Sequence, residues 1–252
     1  MQLTLVTIPI SHFCEKARWA LDLAHLSYVE HGSLPLVHWT KTRPLGGRSA
    51  PLLVTPEGVL TDSTDILRWV DRRHAIYPID AAERSEALAL EDHFDRVLGP
   101  HARRIGYAYV LPHERVALQI VGQRTASWQV RLARPIFPIL AAILMRALKI
   151  TPAGVERSLT VVREVFAEVD RRLSDGRVYL VGDRFSAADL TFAALSGPLL
   201  VPPEHPIQWP PEAAWPTDLR TLRAELVATR AGQHVLRMYR EHRVAPIPGR
   251  SG

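Results

Sequence analysis

From residue 3 to residue 73 the spacing of apolar residues changes repeatedly, whereas from residue 82 onward it keeps to one period. Leu3-Thr4-Leu5-Val6-Thr7-Ile8 is a β-rich run that Pro9 soon ends. Phe13, Ala17, Ala20, Leu21 and Ala24 then recur at helical spacing, with Glu15, Lys16 and Asp22 on the other side of the helix. Ser11 is placed to cap that helix, because its side chain can accept from an orphan backbone N–H. Residues 27–30 read as a second strand, and 33–49, which carry Pro and Gly, as an irregular or weakly helical connection. Residues 51–54 and 58–60 read as a hairpin around Thr55-Pro56-Glu57. A helix follows over 63–73, with Ile66, Leu67 and Val70 facing inward. The order is βαβ, connection, ββα, which requires a small sheet with helices packed on it.

Beyond a linker, Ala75-Ile76-Tyr77-Pro78-Ile79-Asp80, the pattern is helical. One long helix is expected over 82–110, broken near Gly99-Pro100, and another over 113–133. Leu159, Val162, Phe166, Val169 and Leu173 form the cleanest amphipathic stripe, closed at Asp175-Gly176. The Pro-rich 202–216 reads as a loop, followed by two short helices and a Pro- and Gly-containing tail. A chain of 252 residues has room for this division into an α/β domain at 1–75 and an all-α domain at 82–245.

Composition narrows the function classes. One cysteine in the whole chain cannot form an internal disulfide or a multi-cysteine zinc site, and suits a reducing cytoplasm. The formal charge of +5 is spread without Lys or Arg runs, so no nucleic-acid footprint is expected, while an anionic ligand would be favoured. Residues 1–10 lack the pattern of a signal peptide. The most apolar stretch, 135–150, contains Arg146 and Lys149 and falls short of the roughly 20 residues of a spanning helix. It reads as a buried helix or a partner-facing surface, not as a transmembrane segment. No His-Glu-x-x-His spacing, P-loop or dinucleotide glycine motif is present, so neither a metal nor a tightly bound cofactor is expected.

The chemistry-bearing signals come in a fixed order. Ser11-His12-Phe13-Cys14-Glu15-Lys16-Ala17-Arg18 follows the opening strand, Ala50-Pro51 leads into Leu52-Leu53-Val54, and Asp62-Ser63 opens a helix. Together they resemble the glutathione-binding domain of the glutathione transferase superfamily. Val181-Gly182-Asp183-Arg184-Phe185-Ser186-Ala187-Ala188-Asp189-Leu190 resembles that family's buried N-cap motif, with Ser186 and Asp189 as a capping box and Phe185 and Leu190 as its staple.

The resemblance implies a thioredoxin-like first domain followed by an all-helical one. It also implies a transferase that conjugates the glutathione thiolate to an electrophilic, largely apolar small molecule. Ser11 would stabilise the thiolate at a helix N-terminus. Ala50, before a cis Pro51, would pair by its backbone with the cysteinyl part of glutathione. Ser63 would bind the γ-glutamyl carboxylate, Asp62 the ammonium group and Arg48 the glycine carboxylate. Read from the residues alone, Ser11 and Ser63 could equally be helix caps.

Cys14, three residues after Ser11, is the alternative reactive group, for disulfide exchange. His12 reads as a loop residue. The second-substrate pocket is expected between the domains, with Phe13, Tyr107, Tyr109 and Trp128 as aromatic candidates. Glutathione is implied as co-substrate and a homodimer as the assembly; the alternative from another class is a non-catalytic binding or interaction protein of this fold.

Overall fold

The computed structural model describes residues 2–243. Strands β1 (Leu3–Thr7), β2 (Tyr28–Gly32), β3 (Leu52–Thr55) and β4 (Gly58–Leu60) form one sheet in the order β2-β1-β3-β4. β1 runs parallel to β2, joined through helix α1 (His12–Leu23), and antiparallel to β3. A short helix α2 (Trp39–Thr42) and a 3-10 turn (Arg43–Leu45) occupy the connection before β3. Helix α3 (Ser63–Asp71) follows β4. The α/β expectation and the element order therefore hold.

The polar side of α1 does not face water. Glu15, Lys16, Arg18 and Asp22 are all buried, because α1 is covered on that side by the helical domain. Each charge finds a partner, as burial demands. Arg243 places Nε 2.6 Å from Glu15 and Nη1 3.0 Å from Asp22. Arg18 Nε lies 2.7 Å from Glu30 on β2, whose other carboxylate oxygen takes Arg124 at 2.7 Å. Burial alone would raise the Glu30 carboxyl, but Arg18 and then Arg124 hold it at about 2.

A carboxylate held that low stabilises the fold fully above its ordinary range near 4.5 and loses that contribution as pH falls toward 2. Glu30→Gln is therefore expected to cost about 3 kcal/mol at neutral pH, and its deficit against wild type should shrink toward zero near pH 2. Denaturant melts of both proteins across acidic pH measure this. A deficit independent of pH would show that packing, not charge, holds the site.

The helical domain opens with α4 (Ala81–His93), a wider π turn (Phe94–Leu98) and α5 (Gly99–Val110), one continuous rod whose irregular turn directly precedes Gly99-Pro100. Pro100 has no N–H to return to the preceding turn, which is where the regular ladder gives way. Gly99 is small for a packing reason: a Cβ there would come within 2.5 Å of the Phe13 ring.

The single helix expected over 113–133 is two, α6 (Glu114–Gly122) and α7 (Ser127–Ala133). Between them Arg124 takes φ 57 and Thr125 bridges in parallel to Gly32, so this backbone covers the open edge of β2. Gly32 admits it because its missing Cβ would lie 1.9 Å from the Arg124 carbonyl oxygen.

Next come α8 (Phe137–Ala147) and α9 (Pro152–Arg172), which buries Val162, Phe166 and Val169. Helix α10 (Ala187–Leu200) is buried on nearly every side and packs against α1, α4, α5 and α12 (Arg230–His242), with α11 (Thr217–Val227) alongside. Its capping box forms: Asp189 accepts from the Ser186 N–H at 3.1 Å, and also from the Leu180 N–H at 2.8 Å and from His234 Nε2 at 3.0 Å. Phe185 stacks on Trp19 and on His242. The Pro- and Gly-containing tail, with residues 244–245 of the expected helical domain, lies outside the described residues.

Candidate active site

Strand register brings the dispersed signals to one end of the sheet. β1 and β3 pair as Val6 with Leu52, so Pro51 falls beside the C-terminal end of β1, from which the chain runs to Ser11. β4 pairs Leu60 with Leu53, so Asp62 and Ser63 emerge at that same end. β2 runs parallel to β1 and delivers Leu34–Leu36 there as well. The Ala50–Pro51 peptide is cis.

Ser11 is the N-cap of α1, with extended backbone at φ −71 and ψ 121, and its Oγ accepts from the Cys14 N–H at 3.4 Å. The Ser11 N–H is taken by the Ile8 carbonyl at 2.9 Å, which fixes the loop. As Oγ serves only as an acceptor there, its proton is available to a ligand. Cys14 is fully buried, its Sγ accepting from the Ile8 N–H at 3.4 Å. Burial pushes its thiol up, against a smaller opposing pull from Arg18. Cys14→Ser is accordingly expected to leave any glutathione-dependent turnover within about twofold, and the native thiol to resist Ellman's reagent until the protein unfolds. Abolished turnover in a folded variant would return Cys14 to the chemistry.

His12 is not in a loop. It begins α1, is buried, and its Nε2–H donates to the Gly99 carbonyl at 3.1 Å. Burial, with Arg103 nearby, holds its imidazole down at about 3, so the ring is neutral and committed to α5.

At α3 the cap is Asp62, not Ser63: Asp62 Oδ1 accepts from the Thr64 N–H at 2.8 Å. The helix starts one residue earlier than a Ser63 cap requires. That leaves Ser63 in the first turn, nearly buried and released from capping, beside α3's orphan N–H groups. Next to it, Thr64 Oγ1 lies 2.7 Å from Glu91 and 2.9 Å from Asp95, both of which bind Lys16 Nζ at 2.6 Å.

Arg48 is exposed, with its carbonyl held by Trp39 Nε1 at 3.1 Å. Arg43, absent from the sequence-based set, stacks its guanidinium 4.6 Å over the Trp39 ring and lines the same depression as Arg48. The i, i+4 spacing of Trp39 and Arg43 was the available signal.

A narrow, almost wholly apolar pocket begins at Ile10, the neighbour of Ser11. Leu34 and Leu36 wall it from the β2 side, Tyr107 and Val110 from α5, and Phe137 and Leu144 from α8. Burial pushes the Tyr107 hydroxyl up to about 12, against Arg103. Of the aromatic candidates only Tyr107 lines this pocket. Phe13 packs on Gly99, Tyr109 joins the Val201–Trp215 cluster and Trp128 faces outward. The wall contributed by α8 went unrecognised, although Phe137, Ala141 and Leu144 stand at helical spacing. Among the described residues no cluster of His, Cys, Asp and Glu has the arrangement of a metal site.

Comparison with known proteins gives a consistent result. The family model described as glutathione S-transferase, N-terminal domain, matches residues 5–82, and that described as glutathione S-transferase, C-terminal domain, matches 152–223. No curated protein sequence matches the chain. Among solved structures, the beta-etherase LigF from Sphingobium sp. strain SYK-6 is similar at 18% identity over 94% of this chain and 99% of that one, with a TM-score of 0.59. A theta class glutathione S-transferase from Xanthomonas axonopodis pv. citri with glutathione bound is 20% identical over 93% and 96%, with a TM-score of 0.53. A possible glutathione S-transferase from Rhodopseudomonas palustris is 15% identical over 96% and 95%, with a TM-score of 0.57. At these identities the likeness concerns the fold.

Proposed function

This chain belongs to the glutathione S-transferase superfamily, and from that premise we propose that it joins glutathione, through its sulfur, to an electrophilic, largely apolar small molecule. The observation that carries the reading is the adjacency of Ser11, at the N-terminus of α1, to an apolar pocket that starts at Ile10. Glutathione lies along the sheet end. Its γ-glutamyl carboxylate meets the first turn of α3 and Ser63, its ammonium group meets Asp62, its cysteinyl backbone pairs with Ala50 before Pro51, and its glycine carboxylate meets Arg48 and Arg43.

The Ser11 hydroxyl donates to the sulfur and the α1 N-terminus adds its partial positive charge, so the thiol proton passes to solvent and the thiolate persists. The thiolate then attacks an electrophilic carbon held in the apolar pocket. A C–S bond forms, and the bond to the leaving group breaks with its electron pair. Holding both reactants at one end of the sheet supplies the proximity term. The small domain, drawn at 1–75, carries glutathione, and the helical one the electrophile. The same reading carries a homodimer working in the cytoplasm.

Calorimetric titration with glutathione tests it. Saturable binding is expected, weakened about tenfold or more in Ser63→Ala, because a hydrogen bond to a charged group is lost. A folded wild type that binds no glutathione would remove the transferase reading and leave an interaction protein of this fold.

A further inference from the structure

Exposed large apolar side chains crowd into one stretch of this protein. Trp128, Leu132, Ile136, Ile139 and Ile143 are each 45% exposed or more. They recur at steps of four, four, three and four residues along α7, the 3-10 turn at Arg134–Ile136 and α8, and so form one ridge. The other face of these helices is already used, since Ala133, Phe137, Leu140 and Leu144 line the apolar pocket. A contiguous outward ridge of this kind calls for a cover.

The charges on the same stretch are of one sign. Between Glu114 and Glu156 the sequence holds Arg115, Arg124, Arg131, Arg134, Arg146 and Lys149 and no acidic residue. Arg124 is paired with Glu30. The others are exposed, and among the described residues no carboxylate pairs with them. Two copies meeting by this face about a two-fold axis would set bases against bases with no acid between them. A surface of phospholipid headgroups bearing net negative charge answers both features: the ridge enters the apolar boundary while the bases snorkel to phosphates.

We propose that the α7–α8 face docks on membrane surfaces containing anionic phospholipid, with the ridge lying in the plane of the interface. Helix α8, eleven residues from Phe137 to Ala147, is roughly 16 Å long, about half the hydrocarbon thickness. Among the described residues no single helix is long and apolar enough to cross a membrane, and α9, which follows α8 across a 60° bend, commits Val162 and Phe166 to the core. The segment therefore lies on the bilayer and does not span it. In this pose α8 is the partition between lipid and the apolar pocket. Resting on the transferase reading, an electrophile dissolved in the bilayer reaches the pocket past α8.

Co-sedimentation of the full chain with vesicles tests the docking, with no glutathione present, so its failure is separate from failure of the transferase reading. Vesicles are phosphatidylcholine alone, or phosphatidylcholine with roughly a third phosphatidylserine, at about 0.1 M salt. The wild type is expected to partition at least about tenfold more strongly to the anionic vesicles, and to be released at high salt. Ile139→Ser with Ile143→Ser, and separately Arg131→Glu with Arg134→Glu, should each lower that partition by about tenfold or more while circular dichroism and Tm stay unchanged. Wild type remaining in the supernatant with both vesicle types overturns the proposal. So does binding indifferent to lipid charge and salt, or a dimer that Ile139→Ser with Ile143→Ser dissociates, which would make the ridge an interface between copies.

Discussion

Ser11→Ala is expected to lower the turnover of glutathione conjugation by about 100-fold, the usual cost of removing one donor from a developed anion. An ordinary thiol ionises near 8.5 and is only a few per cent thiolate at neutral pH. Bound at the start of α1, its anion gains the helix N-terminus and one hydroxyl donor, beside a pocket whose apolar walls strengthen both. Losing the hydroxyl should raise the bound thiol by about two units, since each unit is worth 1.36 kcal/mol. The wild-type rate should then be level through neutral pH, while that of Ser11→Ala keeps climbing into the alkaline range.

Stability should hardly move, because the 3.4 Å contact to the Cys14 N–H is a long one and a lost cap costs about 1 kcal/mol. The measurement is a pH–rate profile with a chromogenic electrophile, beside thiolate absorbance of the glutathione complex. Turnover within twofold and an unshifted profile would reduce Ser11 to a helix cap.

The second large effect is on the fold. Lys16→Met is expected to destabilise the protein by about 3–5 kcal/mol, because it leaves buried Glu91 and half-buried Asp95 facing one another without their cation. Lys16 Nζ is 2.6 Å from both Glu91 and Asp95 and is wholly buried. Of the remaining partners, Tyr77 donates to Glu91 at 2.7 Å and Thr64 has a single proton to share between the two acids. Burial already pushes the Asp95 carboxyl up, even with Lys16 present.

For a chain of this size such a loss lowers Tm by roughly 10 °C. Since Thr64 adjoins Ser63 at the start of α3, glutathione affinity should fall along with stability. Adding Glu91→Gln and Asp95→Asn to Lys16→Met should recover part of the loss, because the stranded charges are gone. A Lys16→Met protein within about 1 kcal/mol of wild type would show that water or rearrangement compensates the acids.

Much of this was legible in the chain because it depends on neighbours only. A β-rich run marks β1 and a period near 3.6 marks α1, and the order of such segments predicts the sheet domain through α3. Ser186 and Asp189 identify a capping box because both bonds close within one turn. At α3 the expected start at residue 63 holds, but the cap could not be read, because Asp62 and Ser63 can each cap and backbone geometry chooses Asp62.

The polar side of α1 could not be read. Periodicity separates Glu15, Lys16 and Asp22 from Ala17 and Leu21, but it carries no information about whether another element covers the polar side. Their partners Glu91, Asp95 and Arg243 come from distant parts of the chain. Likewise α6 and α7 look like one helix until Gly32 on the sheet edge claims Thr125.

The sequence by itself determined the strands and helices of the first domain and their order, because those properties rest on backbone sterics and local hydrogen bonds, whereas its candidate site residues came from motifs that resemble a family's. Tertiary structure alone decided that Ser11, Pro51 and Ser63 share one end of a sheet, that Cys14 is sealed away, and that Phe137 faces a pocket while Ile139 and Ile143 face outward. Burial belongs to a pair of surfaces, and the second surface is supplied by residues far away along the chain.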